Sequence, residues 1–186
     1  MTEDAPKPEA LPTPQSSLRM WQIWIRDVFI SLAVSAFIII FLYQPVKVEG
    51  TSMMPGLTDQ ERIFINKFVY KIEPISRGDV IVFRYPLDPT KSYIKRVAAL
   101  AGDRIRIDDG IVYVNGRRVR EPYVPTDYID NRTYPETIVP PHTYFVLGDH
   151  RNLSNDSRDF GPVPEQLIYG KAVFAYWPMD KMGTLR

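Results

Sequence analysis

RIRIDDGIVYVNGRRVREPY, residues 104 to 123, is the stretch whose reading decides the fold. Its side chains alternate as they do on an extended strand, and the alternation is broken twice, by Asp109-Gly110 and by Asn115-Gly116. Both dipeptides supply the positive φ angles that a two-residue hairpin turn needs, so two short hairpins are expected here. Working outward, Val46 to Glu49, Arg62 to Asn66, Val80 to Tyr85, Tyr93 to Ala98, Tyr144 to Leu147 and Ala172 to Tyr176 are further strand candidates, each rich in β-branched or aromatic residues. After residue 45 no long amphipathic helical pattern stands out. Pro164-Glu165-Gln166-Leu167-Ile168 predicts one helical turn, with proline at its start. The main body is therefore expected to be mainly β.

The chain has 186 residues, enough for one domain and an appendage, and its 45% apolar and 24% charged content is that of a folded protein. The 23 basic and 22 acidic residues are scattered, so no field favours nucleic acid, and none is expected as a partner. Cysteine is absent, which removes disulfides, thiolate nucleophiles and cysteine metal sites. Only His142 and His150 offer imidazole, with no pair at metal-binding spacing, so neither metal nor cofactor is expected.

The appendage lies at the N-terminus. Residues 1 to 16 carry Pro6, Pro8, Pro12 and Pro14 among small and charged residues and read as a disordered tail. Residues 28 to 43, VFISLAVSAFIIIFLY, hold no charge, and Trp21, Ile23, Trp24 and Ile25 extend the apolar character backward. Sixteen residues at ~1.5 Å each reach ~24 Å, short of a ~30 Å hydrocarbon core unless the Trp-rich turn sits in the interface and Arg26 snorkels. The apolar run continues past Ser35-Ala36 into Phe37-Ile38-Ile39-Ile40-Phe41, which favours an uncleaved anchor over a cleaved secretory signal or a buried core helix. The expected division is a tail over 1–20, a transmembrane anchor over 21–44 and an extracytoplasmic domain over 45–186. Lys7, Arg19 and Arg26 precede the span, a positive-inside bias that leaves the N-terminus in the cytoplasm.

Just beyond this span, EGTSMMPGL (residues 49 to 57) holds an isolated serine, Ser52. A serine nucleophile needs a base, usually histidine. His142 follows Pro140-Pro141 in a loop, and His150 in GDHRN reads as solvated or structural. The second glycine of a G-x-S-x-G elbow is missing as well. Lysine can serve if burial pulls its pKa toward neutrality. Lys95 in SYIKRVAAL has apolar neighbours and shares a strand face with Tyr93 and Val97, although on this segment alone an exposed edge-strand charge is the simpler reading. Ser92 and Lys95 match S-x-x-K, but three residues apart on a strand they point to opposite faces. A third segment, LGDHRNLSNDSRDFGPV (147 to 163), interleaves Asp149, Arg151, Asp156, Arg158 and Asp159 with Ser154 and Ser157. Alternating Asp and Arg can knit such a loop by bidentate pairing.

Taken together, these segments resemble the type I signal peptidases (leader peptidases), membrane-anchored Ser/Lys proteases that remove signal peptides from exported proteins. The parts of the match are the N-terminal span, Ser52-Met53-Met54-Pro55-Gly56-Leu57, Arg77 to Phe83, Tyr93-Ile94-Lys95-Arg96-Val97 with Gly102-Asp103, and Gly148 to Gly161. Each motif is weak alone; four in order behind an anchor are highly specific. The resemblance implies curved antiparallel β-sheets, Ser52 as nucleophile, Lys95 as general base and Ser154 as the hydroxyl that orients the lysine amine. Asp149, Arg151, Asp156 and Arg158 are implied as supporting residues, and the Ser52 backbone N–H as oxyanion donor. Some members carry a serine two residues before the nucleophile to complete the oxyanion hole. Here Gly50 stands in its place, and the second donor is left to backbone groups, Thr51 or water. Gly56, His150 and Leu153 are further departures, beside the catalytic positions. The implied partners are exported preproteins with small residues at the first and third positions before the cleavage site, bound by strand addition beside residues 46–50 and 90–94, and the lipid bilayer. The implied location is the bacterial plasma membrane, crossed once. A self-cleaving repressor-type Ser/Lys peptidase would need a DNA-binding module, and a membrane-tethered β-rich scaffold would not need Ser52, Lys95 and Ser154 together.

Overall fold

The computed structural model describes residues 14–185. The chain divides after Phe41 into an N-terminal helical unit and a β-rich unit that begins at Leu42. Helix α1 runs Pro14–Leu42, 29 residues, or about 44 Å at ~1.5 Å per residue. Within it Arg19–Ile38 is long and apolar enough to cross a membrane. Trp21, Trp24, Phe29, Leu32 and Phe37 are all exposed, so the helix is apolar on every side, as suits hydrocarbon rather than water. The expected shortfall in length disappears because the helix continues back through the Trp-rich turn. There Arg26 pairs with Asp27 at 2.9 Å, which brings the two charges of that turn together. Residues 14–20, expected in the tail, are helical; residues 1–13 lie outside the described residues. Leu42 to Gln44, expected in the anchor, belong with the β-rich unit.

That unit is built of β1 (Tyr43–Lys47), β2 (Arg62–Asn66), β3 (Val80–Tyr85), β4 (Asp88–Ala99), β5 (Arg104–Asp108) and β6 (Ile111–Val114). It continues with β7 (Arg117–Arg118), β8 (Tyr134–Ile138), β9 (Thr143–Leu147), β10 (Val163–Pro164), β11 (Ile168–Trp177) and β12 (Gly183–Thr184). The main sheet runs β1-β2-β11-β3-β4-β9-β10 with β12 on β11, and a second sheet runs β7-β6-β5-β8. All pairings are antiparallel. Register shifts in β11, at Arg84/Tyr85 and at Val97/Ala99 curve the main sheet, since each bulge bends its strand and raises the local twist.

Both expected hairpins form with two-residue turns, Asp108 opposite Ile111 and Val114 opposite Arg117. Asp109, Gly110, Asn115 and Gly116 all have positive φ. The expected strand over Val46 to Glu49 is shifted to Tyr43–Lys47, with Val48 still bonded to the loop through Glu61 O and Gln60 N. The expected helical turn is a 3-10 turn, Glu165–Leu167, behind Pro164.

Three apolar clusters hold the unit together. Val48, Met53, Leu57, Ile63, Ile65 and Val82 lie in the first, Ile105, Val112, Phe145 and Leu147 in the second, joining the two sheets, and Ile81, Phe83, Val97 and Val146 in the third. At ~25 cal/mol per Å² of apolar area, such burial is the main favourable term. Two strand edges bear on the expected strand addition. β1 ends the main sheet, and β4 pairs with β9 only from Arg96 to Ala99, so its half before Lys95 has only β3 as a strand partner among the described residues.

Candidate active site

Ser52 lies in the loop between β1 and β2. Met53 and Leu57 pin that loop by entering the first apolar cluster, while Ser52, immediately before Met53, stays partly exposed. Met54 N–H donates to Thr51 O at 3.0 Å and Leu57 N–H to Met53 O at 2.8 Å. Gly50 has φ +95, where a side chain is strained, and its N–H donates to Asp59 Oδ1 at 2.8 Å. The backbone therefore explains why glycine, not serine, stands two residues before Ser52.

Lys95 reaches the same point from β4. Its Nζ is 2.6 Å from Ser52 Oγ and donates to Ile94 O at 3.1 Å, with the Tyr93 ring 5.4 Å away. Lys95 is only 4% exposed. Burial pulls its pKa down to about 8, against the opposing pull of Asp156 and Asp149, which favour the charged amine. The simpler reading of Lys95 as an exposed edge charge is overturned by this burial, and the strand puts Ser92 and Lys95 apart as alternation requires.

The third segment closes the site from behind. Gly148 sits so close to Ser154 and to the Ser52 carbonyl that a Cβ there would run into both. Ser154 is buried, and its Oγ has no hydrogen-bond partner among the described residues. The Lys95 amine bonds instead to Ser52 and Ile94. Asp156 accepts from Gly148 N–H at 3.0 Å and caps the short helix α2 (Ser157–Phe160), while Ser157 Oγ accepts from Val146 N–H at 2.9 Å.

The Asp/Arg alternation knits the loop only in part. Asp156 and Arg158 pair within it, at 2.8 and 2.9 Å. The other charges reach outward. Asp149 takes two bonds from Arg96 at 2.9 and 2.7 Å, Arg151 pairs with Glu121 at 2.9 and 2.6 Å, and Arg158 also reaches Asp130 at 2.6 Å. Arg96 stacks on Tyr123 at 4.1 Å, and His150 on Tyr128 at 3.9 Å. Sequence reasoning missed Arg96, Glu121, Tyr123, Tyr128 and Asp130. Arg96 lies on β4 and the other four in the segment between β7 and β8, and the partners of all five are brought to them only when the chain is folded. Of the two readings of His150, solvated or structural, its burial excludes the first, and His142 is exposed, 3.6 Å from Glu165.

A groove of 750 Å³ opens over Ser52 and Lys95, flanked by residues 46–51 on one side and 91–94 on the other, with Leu153 and Asn155 at its end. A partly exposed hydroxyl against a buried amine, below a cleft with strand edges, can carry acyl transfer from an extended peptide.

The signal peptidase, peptidase S26, sequence model matches residues 21–177. A signal peptidase I from Bacillus caldolyticus is 41% identical over 165 residues, 82% of this chain and 90% of that protein. One from Bacillus licheniformis is 33% identical over 172 residues, 86% of this chain and 90% of that protein. The crystal structure of a signal peptidase I from Enterococcus faecalis V583 is 31% identical, with a TM-score of 0.47, and covers 54% of this chain and 97% of that one. On the extent of the sequence match, the chain belongs to the signal peptidases of peptidase family S26, enzymes that cleave signal peptides.

Proposed function

We propose that this enzyme is a membrane-anchored serine endopeptidase that cleaves exported preproteins after small-x-small sites, with Ser52 as nucleophile and Lys95 as general base. The observation that carries the reading is the 2.6 Å contact between Lys95 Nζ and Ser52 Oγ, made by an amine whose burial lowers its pKa to about 8. In the reactive form the neutral amine accepts the Ser52 proton as Oγ attacks the scissile carbonyl. The Ser52 N–H donates to the developing oxyanion, and the lysine then passes its proton to the leaving amine. Water, activated by the same lysine, releases the acyl group.

The substrate lies as an added strand between residues 46–50 and 90–94, its backbone paired with these edges. Asp149, Arg151, Asp156 and Arg158 hold the loop rather than react, and Ser154, whose buried Oγ has no hydrogen-bond partner among the described residues, is the hydroxyl left to orient the lysine amine during the reaction. The span Arg19–Ile38 anchors the enzyme in the plasma membrane with the β-rich unit on the extracytoplasmic side. Cleavage of an exported preprotein by the full chain in detergent tests the reading. Ser52→Ala and Lys95→Ala are each expected to lower the rate by ~10³-fold or more, and unchanged cleavage by both variants overturns the mechanism.

A further inference from the structure

The peptide group between Thr51 and Ser52 has two ends with different duties. Its N–H belongs to Ser52, and its C=O belongs to Thr51. In a planar trans peptide these point in opposite directions, so fixing one aims the other. The Thr51 oxygen is held by two donors. Met54 N–H reaches it at 3.0 Å from within the loop, and His150 Nδ1 lies 3.2 Å from it across the fold. A carbonyl only accepts, so this contact requires the tautomer with the proton on Nδ1. Ninety-nine residues separate the two partners in sequence.

The same histidine holds the next peptide. His150 N–H donates to Ser52 O at 3.0 Å, so both carbonyls that flank the Ser52 main-chain N–H and Cα are fastened to one residue. His150 itself is buried, and its ring lies flat on Tyr128, centroids 3.9 Å apart and 22° from parallel. That stack fixes the ring plane and therefore the direction of Nδ1. The need for an outside fastening is local. Gly50, with φ +95 and no side chain, gives the loop just before this peptide no steric hold.

We propose that His150 is a positioning residue that aims the Ser52 N–H at the oxyanion of the tetrahedral intermediate by gripping the opposite end of the same peptide group. It touches neither substrate nor Ser52 Oγ. A hydrogen bond to the carbonyl end also polarises the amide and strengthens its N–H as a donor. The inference rests on the proposed role of Ser52 as nucleophile.

The test is preprotein cleavage by the full chain in detergent, with kcat and KM measured separately and the melting temperature recorded for each variant. His150→Phe keeps a flat ring on Tyr128 and the main-chain bond to Ser52 O but removes the Nδ1 donor. It is expected to lower kcat about 10- to 100-fold with KM within about twofold, because an oxyanion contact matters chiefly in the transition state. His150→Asn places an amide N–H where Nδ1 was and is expected to restore kcat to within about threefold of the parent. The affinity of a peptide aldehyde, whose adduct with serine presents an oxyanion, is expected to fall with kcat in the Phe variant and recover in the Asn variant. If His150→Phe lowers the melting temperature, His150→Gln, with its amide one bond further out, replaces it with the same expectation. Unchanged kcat in a folded Phe or Gln variant, or an equal loss in the Asn variant, overturns the proposal. Cleavage that survives Ser52→Ala instead overturns the nucleophile assignment on which it stands, so the two failures are distinguishable.

Discussion

At the scale of the residue, Lys95 sets two opposed demands. Its folded pKa of about 8 lies below the ordinary lysine value of 10.5, with burial as the first cause. Between those values the unfolded chain binds more protons than the folded one, so stability rises with pH from about 8 to 10.5, and the penalty for burying the charge is fully present below 8. A shift of this size corresponds to roughly 3 kcal/mol. Lys95→Met is therefore expected to raise the unfolding free energy at pH 7 by roughly 2–3 kcal/mol, an advantage that fades as the pH approaches 10.5; equal stabilisation at both pH values in denaturant titrations contradicts it. With Lys95 as the proposed base, activity is expected to depend on its neutral form. The rate under kcat/KM conditions is expected to rise about tenfold per pH unit below 8 and to level off above it, and Lys95→Arg is expected to be inactive because guanidinium keeps its proton. Gly148 carries a steric counterpart: with Ser154 and the Ser52 carbonyl crowding its Cβ position, Gly148→Ala is expected to lower cleavage at least about tenfold by displacing Ser52 from Lys95. Ser52 and Lys95 could be singled out as candidates because each motif is contiguous in sequence, and the fold brings the two side chains to 2.6 Å. The contacts of His150 and Gly148 with Ser52 could not be read there, because both are made to the main chain about a hundred residues away.

At the scale of the element, the loop from Gly148 to Gly161 behaves as a hub whose spokes end elsewhere. The sequence pattern of Asp149, Arg151, Asp156 and Arg158 suggests mutual pairing, yet only Asp156 and Arg158 pair with each other. Asp149 is fully buried against Arg96 of β4, and Arg151 against Glu121. Removing one member of a buried pair strands the other, which costs about 3–5 kcal/mol, whereas removing both can be close to neutral. Arg96→Met is accordingly expected to destabilise the β-rich unit by about 3–5 kcal/mol, and Arg96→Met with Asp149→Leu to recover a substantial part of that loss; a double variant no more stable than the single one shows that the stacking on Tyr123 and the bond to Gly78 O dominate instead. Strands were read well from sequence wherever alternation and turn chemistry agreed, as in the Asp109-Gly110 and Asn115-Gly116 hairpins. β8, β10 and β12 were missed because they are short or carry proline, with pairing that comes from distant partners. The segment between β7 and β8, which supplies Glu121, Tyr123, Tyr128 and Asp130, was unreadable for the same physical reason: its order is imposed by contacts, not by local propensity.

At the scale of the whole molecule, the two units present different surfaces. The unit from Leu42 onward has three apolar clusters of its own and its strands pair among themselves, so its stability is expected not to depend on α1. Helix α1 is the reverse case: Trp21, Trp24, Phe29, Leu32 and Phe37 are exposed, and exposed apolar surface of this extent on every face is stable in hydrocarbon rather than in water. Removal of residues 1–41 is therefore expected to leave a folded β-rich unit whose melting temperature in detergent matches that of the full chain to within about 3 °C, a shift that corresponds to less than ~1 kcal/mol for a unit of this size. The same truncation is expected to release the protein from the membrane fraction and to slow cleavage of a membrane-inserted preprotein far more than cleavage of a soluble signal-peptide fragment. The reason is concentration: an anchor confines enzyme and substrate to one surface, which raises their effective concentration without altering the chemistry at Ser52. Equal slowing on both substrates, with the fold intact, shows instead that α1 contributes to the active site, and membrane retention after truncation assigns anchoring to the β-rich unit.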